Sequence, residues 1–219
     1  MYGFKPIQAR VLAVKLIPNL HEDMKQRLNL QPHHRSLGML TVDIDDVGYT
    51  AVDEATKKAD VEVVYARSFY AGAAHASGPL SGEFIGMLAG PDPAEVKAGL
   101  NAAIELIESG ECTFFAADEE GKIAFYAYTI SRTGTYLSKE NGIPAGSPLA
   151  YLIAPPIEAM YAVDAAAKAA EVRMTNFFGP PSETNFAGAQ FTGTQSACKA
   201  ACDAFAATVM EVARYPKRF

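Results

Sequence analysis

The chain has 219 residues, 49% hydrophobic and 20% charged, which is enough apolar side chain for one large core or two ordinary ones. A formal charge of -6 and a pI near 5.3 exclude the basic surface that nucleic-acid binding requires. The sequence has no apolar run near the roughly 20 residues that span a bilayer, and its start lacks the apolar stretch of a secretory signal. With three cysteines, an odd number that does not suggest a disulfide framework, we expect a cytoplasmic protein with no membrane partner.

The first half alternates stretches typical of strands with stretches typical of helices. We predict strands at 11–17, 35–43, 61–70 and 83–89, with helices at 21–28 and 94–109. Asp43, Asp45 and Asp46 form an acidic corner where Gly48 is expected to make a turn. Asp53 is expected to cap the helix that follows this turn.

The segment 51–61, AVDEATKKADV, returns 111 positions later as AVDAAAKAAEV at 162–172, with seven of eleven positions identical. The second half repeats the order of the first, with strands within 113–130, a polar loop at 131–148, a strand at 149–153, a helix from near Pro156, a strand at 172–178 and a helix at 195–214. We therefore predict an α/β (α+β) chain of two tandem modules, 1–111 and 112–219. Two similar modules in one chain can mimic a dimer, and three such chains closed around an axis make a ring of six modules.

Several short motifs, taken together and in order, carry a resemblance to a known family. They are Arg35-Ser36-Leu37-Gly38, Asp43-x-Asp45-Asp46-Val47, Asp53-Glu54-Ala55-Thr56-Lys57, Val61-Glu62-Val63-Val64-Tyr65, Tyr70-Ala71-Gly72-Ala73, Ser131-Arg132-Thr133-Gly134, Ala154-Pro155-Pro156, Pro181-Ser182-Glu183-Thr184-Asn185 and the stretch from Thr192-Gly193 to Cys202. From about Arg35 to Pro216 the sequence resembles the tandem-domain shell proteins of ethanolamine-utilisation bacterial microcompartments.

The resemblance implies two circularly permuted microcompartment modules of ferredoxin-like type. It also implies a homotrimer that tiles a microcompartment shell together with other shell proteins, and small-molecule pores with a closed and an open state. The loops 71–81 and 179–185, rich in small residues, are the candidate gate elements. A shell protein of this kind is not an enzyme and implies no cofactor and no metal.

The resemblance further implies small channels that bind ethanolamine. The positions that match are Asp45, Asp46, Glu83, Glu183 and Thr184. An ammonium group has three donors and one positive charge, so carboxylates and a hydroxyl can replace part of its hydration shell. Phe115, next to Phe114, is a candidate for a cation–π contact.

The residues also allow other interpretations. A soluble amine-binding sensor would have the same pocket, and a shell protein of a related compartment would have the same scaffold; the oligomeric state separates sensor from shell. A calcium loop at 43–54 is disfavoured because Val47 stands where an oxygen ligand is required. Cys198 and Cys202 lie four apart on one predicted helix with no further ligands nearby, so burial against a neighbour is favoured over zinc or redox chemistry.

Overall fold

The computed structural model describes residues 5–69, 82–182 and 184–218. The first half contains β1 (Pro6–Ile7), β2 (Val11–Ile17), α1 (Glu22–Arg27), β3 (Ser36–Val42), α2 (Asp45–Lys58), β4 (Glu62–Phe69), β5 (Glu83–Gly90) and α3 (Pro93–Ser109). The second half contains β6 (Phe114–Ala116), β7 (Ala124–Ile130), α4 (Thr135–Asn141), β8 (Leu149–Ala154), α5 (Pro156–Ala169), β9 (Val172–Phe178), β10 (Ala187–Gly193) and α6 (Gln195–Arg214).

The strands form two antiparallel sheets whose topology repeats. The first sheet has the order β2-β3-β5-β4, and the second has β1-β6-β7-β8-β10-β9. The last four strands of the second sheet follow the order of the first sheet, and α5 and α6 pack on them as α2 and α3 pack on the first. The short helix α1 connects β2 to β3 in the first unit, and α4 connects the corresponding strands β7 and β8 in the second. The predicted two-module α/β fold is therefore confirmed, with β1 crossing to pair with β6 of the second sheet.

Most elements lie where the hydrophobic pattern predicts them. Strands β2 and β9 and helix α6 have the predicted bounds. Asp92 caps α3 by accepting from the backbone N–H groups of Ala94 and Glu95 at 2.8 and 3.0 Å, and α3 ends at Gly110 with φ 72. Cys198 and Cys202 are buried in the core of the second module, as the sequence favours.

Three local predictions were wrong. Helix α2 begins at Asp45, so the acidic pair forms its first turn and Gly48 lies inside the helix. Gly48 serves close packing, because the ring of Phe84 leaves no room there for a side chain. Asp53 stands within α2 and caps no part of that helix. The polar stretch 131–148 contains the helix α4, which was predicted to be loop.

Helix α2 is packed on both sides. One face lies on the first sheet, where Val52 and Phe84 pack beside Gly86 of β5. The opposite face contacts the second unit, since Thr50 Oγ1 lies 3.0 Å from the hydroxyl oxygen of Tyr126. A shared hydrophobic core therefore extends from α2 into both sheets.

The second copy of the repeated helix, α5, is packed on one side only. Its small residues Ala159, Ala162 and Ala166 are buried against α6 and the second sheet. Its opposite face leaves Ile157 69% and Tyr161 62% exposed. Among the described residues, no helix is long and apolar enough to cross a membrane.

Candidate functional site

A cavity of about 370 Å³ opens where the two modules meet. Its wall combines the first turn of α2, the end of β4, helix α4, strand β8 and the loop that follows β9. Among the described residues, three carboxyl groups and five aromatic rings line it: Asp45, Asp46, Glu140, Tyr49, Tyr136, Tyr151, Phe178 and Phe186. The cavity therefore joins negative charge to aromatic faces.

Asp45 and Asp46 stand side by side at the N-terminus of α2, where the helix dipole favours negative charge. They are only 4% and 5% exposed. The Tyr151 hydroxyl donates to Asp46 Oδ1 at 2.6 Å, and the Asp45 backbone N–H donates to the carbonyl of Gly82 at 3.1 Å. Asp45 Oδ1 has no hydrogen-bond partner although it is buried. A buried acceptor without a donor marks a place where a donor can bind.

The two carboxyl groups share one electrostatic environment. Burial raises the pKa of Asp45 to about 6, although hydrogen bonds from Ser68 and Thr184 act in the opposite direction. Burial and then the adjacent charge of Asp45 raise the pKa of Asp46 well above its usual range, and the bond from Tyr151 offsets this only in part. Burial likewise raises the pKa of Tyr49 to about 12. Burial therefore raises the pKa of both carboxyl groups of the pair.

The structure brings together three of the residues singled out from the sequence: Asp45, Asp46 and Thr184 all line the cavity. Glu83 follows Gly82, is 6% exposed, and its Oε1 is the other buried side-chain oxygen found without a partner in the described part of the chain. Glu83 is not among the lining residues. Glu183 lies outside the described residues.

The aromatic contribution comes from residues other than those expected. Phe115 packs against Phe125 on the far side of the second sheet, and Phe114 is buried against Tyr126 and Phe186. Neither Phe115 nor Phe114 lines the cavity. The rings that do so come from α2, α4 and β8 and from the chain around the 179–185 loop. Tyr151 could have been predicted to lie near a polar group, because it falls in a buried strand and a buried tyrosine hydroxyl requires a polar partner.

Comparisons with known proteins define the class and then the family. The sequence model of the bacterial microcompartment (BMC) domain matches residues 36–116, so the first module is a microcompartment shell domain. The curated microcompartment shell protein EutL of Clostridium perfringens is 61% identical over 97% of this chain and 98% of its own length, and that of Escherichia coli is 53% identical over 96% and 95%. The crystal structure of the ethanolamine utilization protein EutL from Leptotrichia buccalis superposes with a TM-score of 0.93 at 60% identity and covers 99% of both chains.

The chain therefore belongs to the EutL family of bacterial microcompartment shell proteins. It is a structural shell protein of the ethanolamine-utilisation type and not an enzyme. Within the described residues, no cluster of three or more His, Cys, Asp or Glu side chains is placed to hold a metal ion.

Proposed function

We propose that this protein tiles a microcompartment shell as a pseudohexameric homotrimer with gated small-molecule pores, and that it binds ethanolamine in the acidic cavity between its modules. The observation that carries the ligand proposal is the buried, unpartnered oxygen Asp45 Oδ1 at the cavity wall. Burying an acceptor without a donor costs about 1–3 kcal/mol, so an incoming N–H donor recovers free energy there. A cation recovers more than a neutral donor because the acceptor is a carboxylate.

The cavity chemistry matches a small primary amine. The ammonium group has three N–H donors for the carboxyl oxygens of Asp45 and Asp46, and the rings of Tyr49, Tyr136 and Phe178 supply faces for cation–π contact. Gln190, which also lines the cavity, is a polar side chain available to the ligand hydroxyl. A volume of about 370 Å³ holds a molecule of this size together with water.

The binding proposal predicts a large loss of affinity when the acidic oxygens are neutralised. Titrating ethanolamine by calorimetry into the double variant Asp45→Asn with Glu83→Gln should give at least tenfold weaker binding than wild type, because each charge-assisted hydrogen bond contributes about 1.5–3 kcal/mol. The control has the same net charge and carries Glu105→Gln with Asp203→Asn, both exposed on other helices. Equal affinity in all three proteins would remove the cavity assignment.

The trimer proposal is supported by the comparison of α2 with α5. On α2, Asp46, Thr50 and Asp53 face the second module of the same chain. The positions 111 residues later are Ile157, Tyr161 and Asp164, and all three are exposed on α5. If first and second modules alternate around a ring, α5 of one copy packs on the outer face of the first sheet of the next copy. This contact corresponds to the one that α2 makes with the second sheet within a single chain. That outer face carries the partly buried residues Met39, Thr41, Ile85 and Met87.

Tyr161→Arg should therefore break the trimer without unfolding the chain. A buried guanidinium with no partner at a subunit contact is strongly unfavourable. Analytical ultracentrifugation should show wild type as a trimer and Tyr161→Arg as a monomer with an unchanged circular dichroism spectrum. Asn101→Arg, exposed on α3, is the matched control and should stay trimeric. A wild-type protein that remains monomeric at all concentrations would favour the soluble amine sensor.

The gating proposal concerns the loop that closes the cavity. Gly179, Ser182 and Thr184 belong to the candidate gate loop 179–185 and also line the cavity wall. Movement of this loop would thus change the cavity and the ligand contacts together. The companion gate loop, 71–81, lies outside the described residues.

A further inference from the structure

Gln190 of β10 lies beside Tyr151 in the cavity wall. In the ladder between β8 and β10, Gln190 is the direct partner of Tyr151, so the two side chains lie on one face of the sheet at a Cβ separation of roughly 5 Å. The Tyr151 hydroxyl reaches Asp46 Oδ1 at 2.6 Å, and Gln190 lines the same cavity while being only 2% exposed. A buried polar side chain is therefore the direct neighbour of the tyrosine that contacts the carboxyl pair.

The hydrogen bonds behind Gln190 determine which end of its amide faces the cavity. Asn176 is the ladder partner of Gln190 on the other side, in β9, and its Nδ2 group donates to Gln190 Oε1 at 3.0 Å. The same Nδ2 group donates to the backbone carbonyl of Glu140 at 3.2 Å, and a carbonyl can only accept. The nitrogen of Asn176 therefore requires the oxygen, and not the nitrogen, of Gln190 as its neighbour.

A further amide supports this assignment from α4. Asn141 Nδ2 donates to the backbone carbonyl of Leu137 at 2.9 Å, which leaves Asn141 Oδ1 as an acceptor. That oxygen accepts from Asn176 Nδ2 at 3.1 Å and from the Thr175 hydroxyl at 2.5 Å. The three amides thus form a chain that ends at the cavity. In the hydrogen bonds found among the described residues, Gln190 Oε1 has a partner and Gln190 Nε2 has none.

We propose that Gln190 is a specificity-determining residue of the cavity, and that its Nε2 amide donates a hydrogen bond to an oxygen carried by the ammonium ligand. The inference rests on the proposed function of the site and adds a second requirement to the positive charge. An amine whose other end bears a hydroxyl or ether oxygen accepts from Gln190, whereas an alkylamine of the same size leaves this N–H group without a partner. Asn176 is the positioning residue, because it holds the Gln190 oxygen and so keeps the nitrogen turned towards the cavity.

Two pairs of ligands, each matched in the number of non-hydrogen atoms, test the donor. Calorimetric titration of the full-length protein should show ethanolamine binding about tenfold more tightly than propylamine, and 2-methoxyethylamine binding about tenfold more tightly than butylamine. The second pair is the stricter one, because an ether oxygen can accept a hydrogen bond and cannot donate one. Gln190→Met, which keeps the length of the side chain, should bring the affinities within each pair to about twofold of one another. Gln26→Met, at an exposed position of α1, is the matched control and should keep the wild-type preferences.

Asn176→Asp separates the orientation of Gln190 from its presence. A carboxylate at this position has no N–H group, so the Gln190 amide should rotate, donate from Nε2 to the new carboxylate and turn its oxygen to the cavity. The variant should then lose the preference for 2-methoxyethylamine over butylamine but keep that for ethanolamine over propylamine, because a hydroxyl can also donate. Comparing affinities within each pair removes the effect of the added charge.

The possible outcomes distinguish the donor from the amine site itself. Equal affinities of wild type for 2-methoxyethylamine and butylamine would overturn the assignment of Gln190 and leave the amine site standing. Wild-type preferences that persist in Gln190→Met would overturn it as well, and an unchanged ether preference in Asn176→Asp would overturn the role of Asn176. If none of the four amines binds to wild type, the proposed function fails, and this inference with it.

Discussion

Replacing Asp53 by alanine should lower the free energy of unfolding by about 2–5 kcal/mol. Asp53 is fully buried, and its carboxylate accepts from the backbone N–H groups of Gly134 at 2.7 Å and Leu137 at 2.8 Å. It thereby caps α4, a helix of the other module, from within α2. Alanine leaves both N–H groups buried without an acceptor, and it removes a contact with Lys57 at 3.7 Å.

The repeat supplies a matched control. Asp164 stands 111 positions after Asp53 in the same sequence context, but it is exposed and its partner is Lys168, four residues on. Asp164→Ala should therefore cost about 0–0.5 kcal/mol, the usual value of an exposed pair on one helix. Urea unfolding of both variants in a Tyr161→Arg background measures the difference without contacts between copies. Similar losses for Asp53→Ala and Asp164→Ala would show that the link between the modules contributes little.

The fold could be predicted from the sequence to the extent that local pattern determines it. The alternation in the strands and the apolar spacing in the helices predicted the order of the elements, because each pattern depends on neighbouring residues, and the repeat predicted that this order recurs. The errors at Gly48 and Asp53 have a different cause. Both residue types favour turns and caps locally, but here Gly48 makes room for Phe84 and Asp53 bonds α4, a long-range contact that no local pattern contains.

The candidate site was predictable only in part, for a related reason. Asp45, Asp46 and Thr184 were identified through family resemblance, and the cavity brings them together from α2 and from the loop after β9. The aromatic wall was missed, because Tyr136 lies in a helix that was expected to be loop and Tyr151 reads as one more apolar residue in a buried strand. Phe115 lies on the side of the second sheet that faces away from the cavity. The side is set by the register of the strand, and a strand of only three residues gives too little pattern to predict that register.

The same carboxyl pair should make the stability of the native protein fall as pH rises. The pKa of Asp45 is about 6 in the folded chain and near its ordinary value of about 3.9 in the unfolded chain, so between these values the native state binds more protons. The contribution of the Asp45 carboxyl group to the free energy of unfolding is thus fully present below about pH 4 and is lost as the pH rises through 6. At pH 7.5 the buried carboxylate costs up to about 3 kcal/mol, from about 1.4 kcal/mol per pKa unit.

Asp45→Asn removes that buried charge and keeps the shape of the side chain, so the variant should be more stable than the parent by about 2–3 kcal/mol at pH 7.5 and equal to it near pH 4. Urea unfolding in amine-free buffer, in the Tyr161→Arg background, measures the difference across this range, and Asp203→Asn is the exposed control. Parallel stability profiles for parent and Asp45→Asn would contradict the expectation. A stability deficit of this kind, relieved by a neutral side chain, is what we expect of a buried carboxyl group that is retained for a purpose other than folding.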